Sequence, residues 1–303
     1  MKLRILIIVL IIYCGTQASG QDKDVLRVFF LGGQSNMEGY GSNDDLPDSL
    51  RGAVNNVWIF HGNPIRDDNT SGGIGRWDSL RPGNGAGFSS NESVNELSQK
   101  FGPELSFGYR INQLYPEDNI AIIKYALGGS SIDSLASRDY ASWEMDYRSN
   151  SGINQFDHFL ATVNNAMGNR DINNNGLEDL WIPSGIIWMQ GESDATVTEG
   201  IAEHYYYNLK RLMDLMRATF HDDDLPVIIG KISDSGLAEN GKVWKYGELV
   251  QHAQEEFVRN DRNAAIVRET RNYDYSDPYH YNSDGYINIG IEFANTVYLL
   301  DKK

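Results

Sequence analysis

Val25-Leu26-Arg27-Val28-Phe29-Phe30-Leu31-Gly32-Gly33-Gln34-Ser35-Asn36-Met37 is a short β-rich apolar run that stops at two glycines and then delivers a serine. Residues 25–31 read as a strand, and their lack of strict alternation suits a strand buried on both faces, as in a parallel sheet. Working outward, residues 57–60, 120–126, 185–189, 227–232 and 264–267 repeat the pattern. Between them lie helical periodicities. Residues 104–115 place Leu105, Phe107, Ile111 and Leu114 on one face, and 203–220 do the same with Tyr206, Leu209, Leu212, Met213 and Met216. Residues 155–167, 246–258 and 287–300 complete the set. Strand–helix alternation predicts an α/β fold, a three-layer α/β/α sandwich around a mainly parallel, flavodoxin-like sheet. In such sheets reactive groups gather at the carboxyl ends of the strands.

The rest of the chain bounds the problem. Its 303 residues, 41% hydrophobic, can bury a substantial core, so wholesale disorder is excluded. Lys2 and Arg4 precede an unbroken apolar run from Ile5 to Tyr13, and Ala18-Ser19-Gly20 supplies small residues at a cleavage position. That run is too short to span a bilayer, so residues 1–20 read as a secretory signal and 21–303 as one domain, secreted or periplasmic, with no membrane insertion once the signal is gone. Cys14 leaves a lipoprotein anchor as the alternative, against which stands bulky Tyr13. Cys14 is also the only cysteine, so the mature chain has no disulfide, no thiolate zinc site and no thiol nucleophile. A net charge of −16 repels nucleic acid and anionic lipid. A neutral substrate fits that field best, and an anionic one, such as a sialic acid, needs a local Arg or Lys. Residues 62–102, rich in Gly, Asn and Ser, form a long insertion that reads as a lid, a recognition loop or a surface excursion.

Four short motifs carry chemistry. Ser35, at a strand's end and flanked by glycines, can present its hydroxyl and its backbone N–H to one cleft. Met37 stands where a G-x-S-x-G elbow has its second glycine, which disfavours the α/β-hydrolase fold. A serine nucleophile needs a base, and the base an orienting group. Asp277-Pro278-Tyr279-His280, a tight loop just before the last helix, offers both. Trp188-Met189-Gln190-Gly191-Glu192-Ser193-Asp194 follows the fourth strand, where the Gln190 amide can face a developing oxyanion. Glu192 and Asp194 are acceptors and fit a supporting role. Leu127-Gly128-Gly129-Ser130-Ser131, after the third strand, can add a free backbone N–H.

Together with Phe101-Gly102-Pro103-Glu104, these blocks resemble the sialate O-acetylesterase-type domain, which includes the carbohydrate esterase family 6 acetylxylan esterases within the SGNH hydrolase superfamily. The resemblance runs from about residue 25 to 298. It implies Ser35 as nucleophile, His280 as base, Asp277 as its partner, and Ser35, Gly129 and Gln190 as the oxyanion hole. It implies a carbohydrate O-acetylesterase, acting on acetylated xylan or a similar polysaccharide or on sialic acid, with no cofactor and no metal. The alternatives are an SGNH esterase of another acyl specificity and an inactive sugar-binding relative. Intact Ser35, Asp277 and His280 argue against the latter. Residues 171–179 (Asp171, Asn173, Asn175, Gly176, Asp179) resemble the start of a calcium loop, but Ile182 stands where an EF-hand has its closing Glu. A polar turn is the alternative, and any ion there would be structural.

Overall fold

The computed structural model describes residues 24–138, 140–173 and 175–302; the expected signal at 1–20, with Cys14, lies outside them. Seven strands form one sheet: β1 (Val25–Gly33), β2 (Val57–His61), β3 (Trp77–Ser79), β4 (Asn119–Ala126), β5 (Leu180–Met189), β6 (Val227–Gly230) and β7 (Ala264–Val267). Their order is β7-β6-β5-β1-β4-β2-β3, and every pairing is parallel except that of β3 with β2. β4 lies between β1 and β2, whereas a flavodoxin-like sheet sets its second strand beside its first. Here the β2–β3 hairpin occupies the outer edge and leaves the inner slot to β4.

Alternate residues of β1 explain the three layers. Phe29 meets Phe107 of α2 (Pro103–Leu114) edge-on at 5.3 Å, while Phe30 meets Phe159 of α3 (Gln155–Met167) at 4.8 Å on the opposite face. Both strand residues are fully buried, each contributing roughly 1.5–3 kcal/mol of transfer free energy. On the α2 side packs α6 (Ser283–Asp301); α4 (Glu199–Thr219) and α5 (Gly247–Asn260) pack against each other elsewhere on the sheet. α4 and α6 begin about four residues earlier than periodicity predicts, because their caps do. Thr198 accepts the Ile201 N–H and Asn282 the Gly285 N–H. β5 begins five residues before its apolar run. Pro183 is tolerated there because the register with β1 shifts at that point.

The 62–102 segment is packed rather than structureless. It supplies β3 and short two-stranded pairings, buries Trp77, Leu80, Phe88 and Phe101, and donates the Trp77 indole N–H to Ala166 O. A buried ion pair fastens it beneath the strand ends. Lys124 Nζ, within β4, donates to Glu104 Oε2 (2.6 Å) and to the carbonyls of Glu38 (2.8 Å) and Asn84 (2.6 Å). Burial pulls the lysine pKa down while Glu104 holds it up. With three acceptors on three segments, the ammonium works as a clamp, and removing one partner would leave an uncompensated buried charge.

Candidate active site

The first element is the turn after β1. Gly33 has φ +147°, and a Cβ there would lie 1.9 Å from the Met189 carbonyl, so only glycine lets the ends of β1 and β5 approach this closely. The Gln34 N–H then donates to that carbonyl at 3.0 Å. Ser35 opens α1 (Ser35–Glu38), a single turn closed by the Met37 and Glu38 N–H groups on Gln34 O. In the first turn of a helix the backbone N–H has no intrahelical acceptor. The Ser35 N–H takes none elsewhere among the described residues.

The second element is the loop before α6. Asp277 Oδ2 accepts from His280 Nδ1 at 2.7 Å, and its Oδ1 accepts the N–H groups of Tyr279 (2.7 Å) and His280 (2.9 Å). Burial pushes the Asp277 pKa up, but the imidazole and these N–H groups outweigh it and hold the carboxyl below its usual range. The Tyr40 ring stacks on the imidazole, centroids 3.9 Å apart and planes 9° apart, which fixes the plane of the ring. Burial and the nearby charges of Glu38 and Asp277 push the Tyr40 phenol up to about 12.

Both elements open on one cavity of about 530 Å³. Ser35, His280, Gly129, Gln34, Glu38 and Tyr40 line it, together with Arg66, Arg138, Tyr140, Trp244 and Tyr279. Gly129 has φ +76°, and a Cβ would press on the Tyr140 ring at 3.0 Å. The preceding N–H, of Gly128, is held by Glu38 Oε2 at 2.7 Å, whereas the Gly129 N–H donates to no protein acceptor among the described residues. Burial raises the Glu38 carboxyl pKa, the Gly128 N–H and Lys124 opposing it.

Asn36 ties the elements together. Its Nδ2 donates to Glu192 Oε1 (2.9 Å) and to the Tyr279 carbonyl (3.2 Å), and its Oδ1 accepts from the Tyr286 hydroxyl (2.9 Å). Glu192, fully buried and not lining the cavity, therefore anchors Asn36, which bridges the serine turn to the histidine loop. Burial pushes its pKa up and the Asn36 hydrogen bond pulls it down. Nothing in the sequence reading singled out Asn36 or Tyr40. Asn36 directly follows the serine, and its amide matches the buried acceptors expected around it.

Gln190 is placed differently from the sequence-based expectation. It is fully buried below the cavity floor, its Nε2 committed to Asp194 (2.7 Å), Ser130 O (3.3 Å) and Gln34 Oε1 (3.2 Å), its Oε1 accepting from Tyr205. With the amide so occupied, no hydrogen remains for an oxyanion. Gln34 lines the cavity instead. Its Oε1 accepts from Gln190, Gly191 N and Ser193 N (3.2–3.3 Å), and its Nε2 donates to no protein acceptor among the described residues. Both glutamines follow register partners, Gly33 and Met189, on neighbouring parallel strands, so the pleat alone does not separate them. Asp194 and the Tyr205 hydroxyl hold Gln190 under the floor, while Gln34 lines the cavity.

In the 171–179 loop, the Asp171 carboxylate is taken by the N–H groups of Asn175 and Gly176 (2.9 Å each), and Asp179 by that of Ile172 (2.8 Å). Among the described residues no three His, Cys, Asp or Glu side chains are grouped to hold a metal ion.

A hydroxyl, an imidazole with its carboxylate, and uncommitted N–H donors at one cavity are the parts that acyl transfer requires. The comparisons agree in kind. The family model described as "carbohydrate esterase, sialic acid-specific acetylesterase" matches residues 25–299. Among solved structures, a protein from Arabidopsis thaliana is 19% identical with a TM-score of 0.60, over 90% of this chain and 97% of that one. NanS is 14% identical with a TM-score of 0.56, over 92% and 98% of the two chains. A carbohydrate acetylesterase from Xanthomonas citri is 15% identical with a TM-score of 0.54, over 91% of this chain and 55% of that one. At these identities the structures share the fold. None of the curated proteins compared matches the chain.

Proposed function

Since this chain belongs to the sialic acid-specific acetylesterase family of carbohydrate esterases, and so is a carboxylic ester hydrolase acting on O-acetylated carbohydrate, we propose that it works through an acyl-enzyme on Ser35. His280 takes the Ser35 proton as the hydroxyl attacks the acetyl carbonyl, and Asp277 keeps the imidazole in the tautomer that can accept it. The tetrahedral oxyanion is met by the Ser35 and Gly129 backbone N–H groups, with the Gln34 amide as third donor in the place first assigned to Gln190. His280 then protonates the departing sugar hydroxyl, and water releases acetate by the reverse steps. The observation that carries this reading is the shared cavity: the early serine and the late histidine line the same 530 Å³ space.

Two sugars remain in view. Exposed aromatic rims at Tyr140 and Tyr279 suit the flat faces of a neutral xylan. Arg66 and Arg138 supply the local positive charge that a sialic acid needs in a chain of net charge −16. We assign export to the segment at 1–20 and treat 21–303 as one domain. Among the described residues no helix is long and apolar enough to cross a membrane. The test is acetate release from an aryl acetate, acetylated xylan and O-acetylated sialic acid. Release by the wild type that Ser35→Ala abolishes is expected. No release, or equal release by Ser35→Ala, overturns the reading.

A further inference from the structure

A second cavity, of about 310 Å³, adjoins the first and shares Arg66 and Tyr140 with it. It lies between the start of the insertion and the chain that leads from β4 into α3, with Arg148, Ser149 and Asn150 on its far side. Its walls are pinned. Asp67 accepts the Ser142 N–H (3.0 Å) and the Gln155 amide (2.8 Å), and Asp68 accepts the Ser151 N–H (3.0 Å). These carboxylates therefore serve the walls, and neither forms an ion pair with an arginine of the cavity.

The arginines are the opposite case. Arg66 lies over the Tyr140 ring at 5.1 Å, and neither it nor Arg148 has a carboxylate partner among the described residues. Acids outnumber bases 42 to 26 in the chain, yet two guanidinium groups with no carboxylate partner among the described residues line this one cavity. Guanidinium recognises carboxylate by paired parallel hydrogen bonds. Tyr140, 46% exposed and shared by both cavities, offers its exposed part to a sugar ring.

We propose that the second cavity is a subsite for the sugar unit adjoining the acetylated one, and that this unit carries a carboxylate read by Arg148 and Arg66. The substrate is then an acidic oligosaccharide, with the acetyl group one unit away from the carboxylate. The proposal rests on the esterase reading above, and its failure leaves aryl acetate hydrolysis by Ser35 untouched.

The test compares two acetylated xylo-oligosaccharides of equal length, one neutral and one with glucuronic acid on the unit next to the acetylated residue. The wild type should turn over the acidic one with about tenfold higher kcat/KM, the advantage residing in KM and shrinking as salt rises. Arg148→Ala should bring the ratio near one while kcat holds, and Arg148→Lys should restore part of it. Aryl acetate hydrolysis by the same variants reports whether the catalytic cavity is intact. Equal kcat/KM for the two oligosaccharides in the wild type overturns the proposal, as does a ratio unmoved by Arg148→Ala.

Discussion

Replacing Asp277 by Asn separates the loop from the chemistry, because the two oxygens of the carboxylate do different work. Oδ1 accepts two backbone N–H groups and Oδ2 accepts from His280 Nδ1. An asparagine keeps its carbonyl on the pair of N–H donors, since turning its amide toward them would set donor against donor. The NH₂ then faces His280 Nδ1, which must become an acceptor, and the proton moves to Nε2. An imidazole protonated there cannot take a proton from Ser35. In other serine hydrolases the equivalent loss is about 10⁴ in kcat. The Asp277 side chain is 43% exposed, so water competes for the imidazole and we set the loss nearer about 10³, or about 4 kcal/mol at 1.36 kcal/mol per decade. The assay is kcat on an aryl acetate from pH 5 to 9, with thermal melting beside it. Melting should move little, because both loop hydrogen bonds survive. A variant within tenfold of wild type at neutral pH, its fold intact, would refute the tautomer argument.

Other outcomes follow from the same geometry. Gln34→Ala should lower kcat on an aryl acetate by about 10²–10³ with KM little changed, the cost of one oxyanion donor; an unchanged kcat removes Gln34 from the hole. Asp194 is fully buried, and burial lifts its pKa from 3.8 to about 6 although the Asp133 and Ile132 N–H groups and Gln190 oppose the shift. Between about pH 4 and 6 the folded state therefore holds a proton that the unfolded chain has released. This contribution weakens the fold as pH rises through that window, by about 2–3 kcal/mol, and is constant above it. Asp194→Asn should remove that part of the slope in urea midpoints taken at pH 4, 5, 6 and 7, and a slope identical to wild type would contradict the assignment.

Much of this was readable in the sequence for physical reasons. Central parallel strands are buried on both faces, so β1, β4 and β6 appear as apolar runs interrupted only by Arg27 and Lys124, and three of the motifs stand at the carboxyl ends of β1, β4 and β5. What was not readable depends on direction rather than composition. Gln34 and Gln190 occupy equivalent places after neighbouring strands, and only the contacts of Asp194 and the Tyr205 hydroxyl decide which one turns down. Strand β3 is three residues long inside a Gly-rich stretch, too short for any period to register. Lys124 was visible as a lone charge within an apolar run. It signals a buried acid, but its partner, Glu104, sits 20 residues earlier on α2.

The most direct test of the catalytic claim is peptide mass spectrometry after exposure to a fluorophosphonate, which captures an activated serine covalently. The label should fall on the peptide holding Ser35, and His280→Ala should abolish it. Labelling confined to another serine, or undiminished in His280→Ala, would contradict the account.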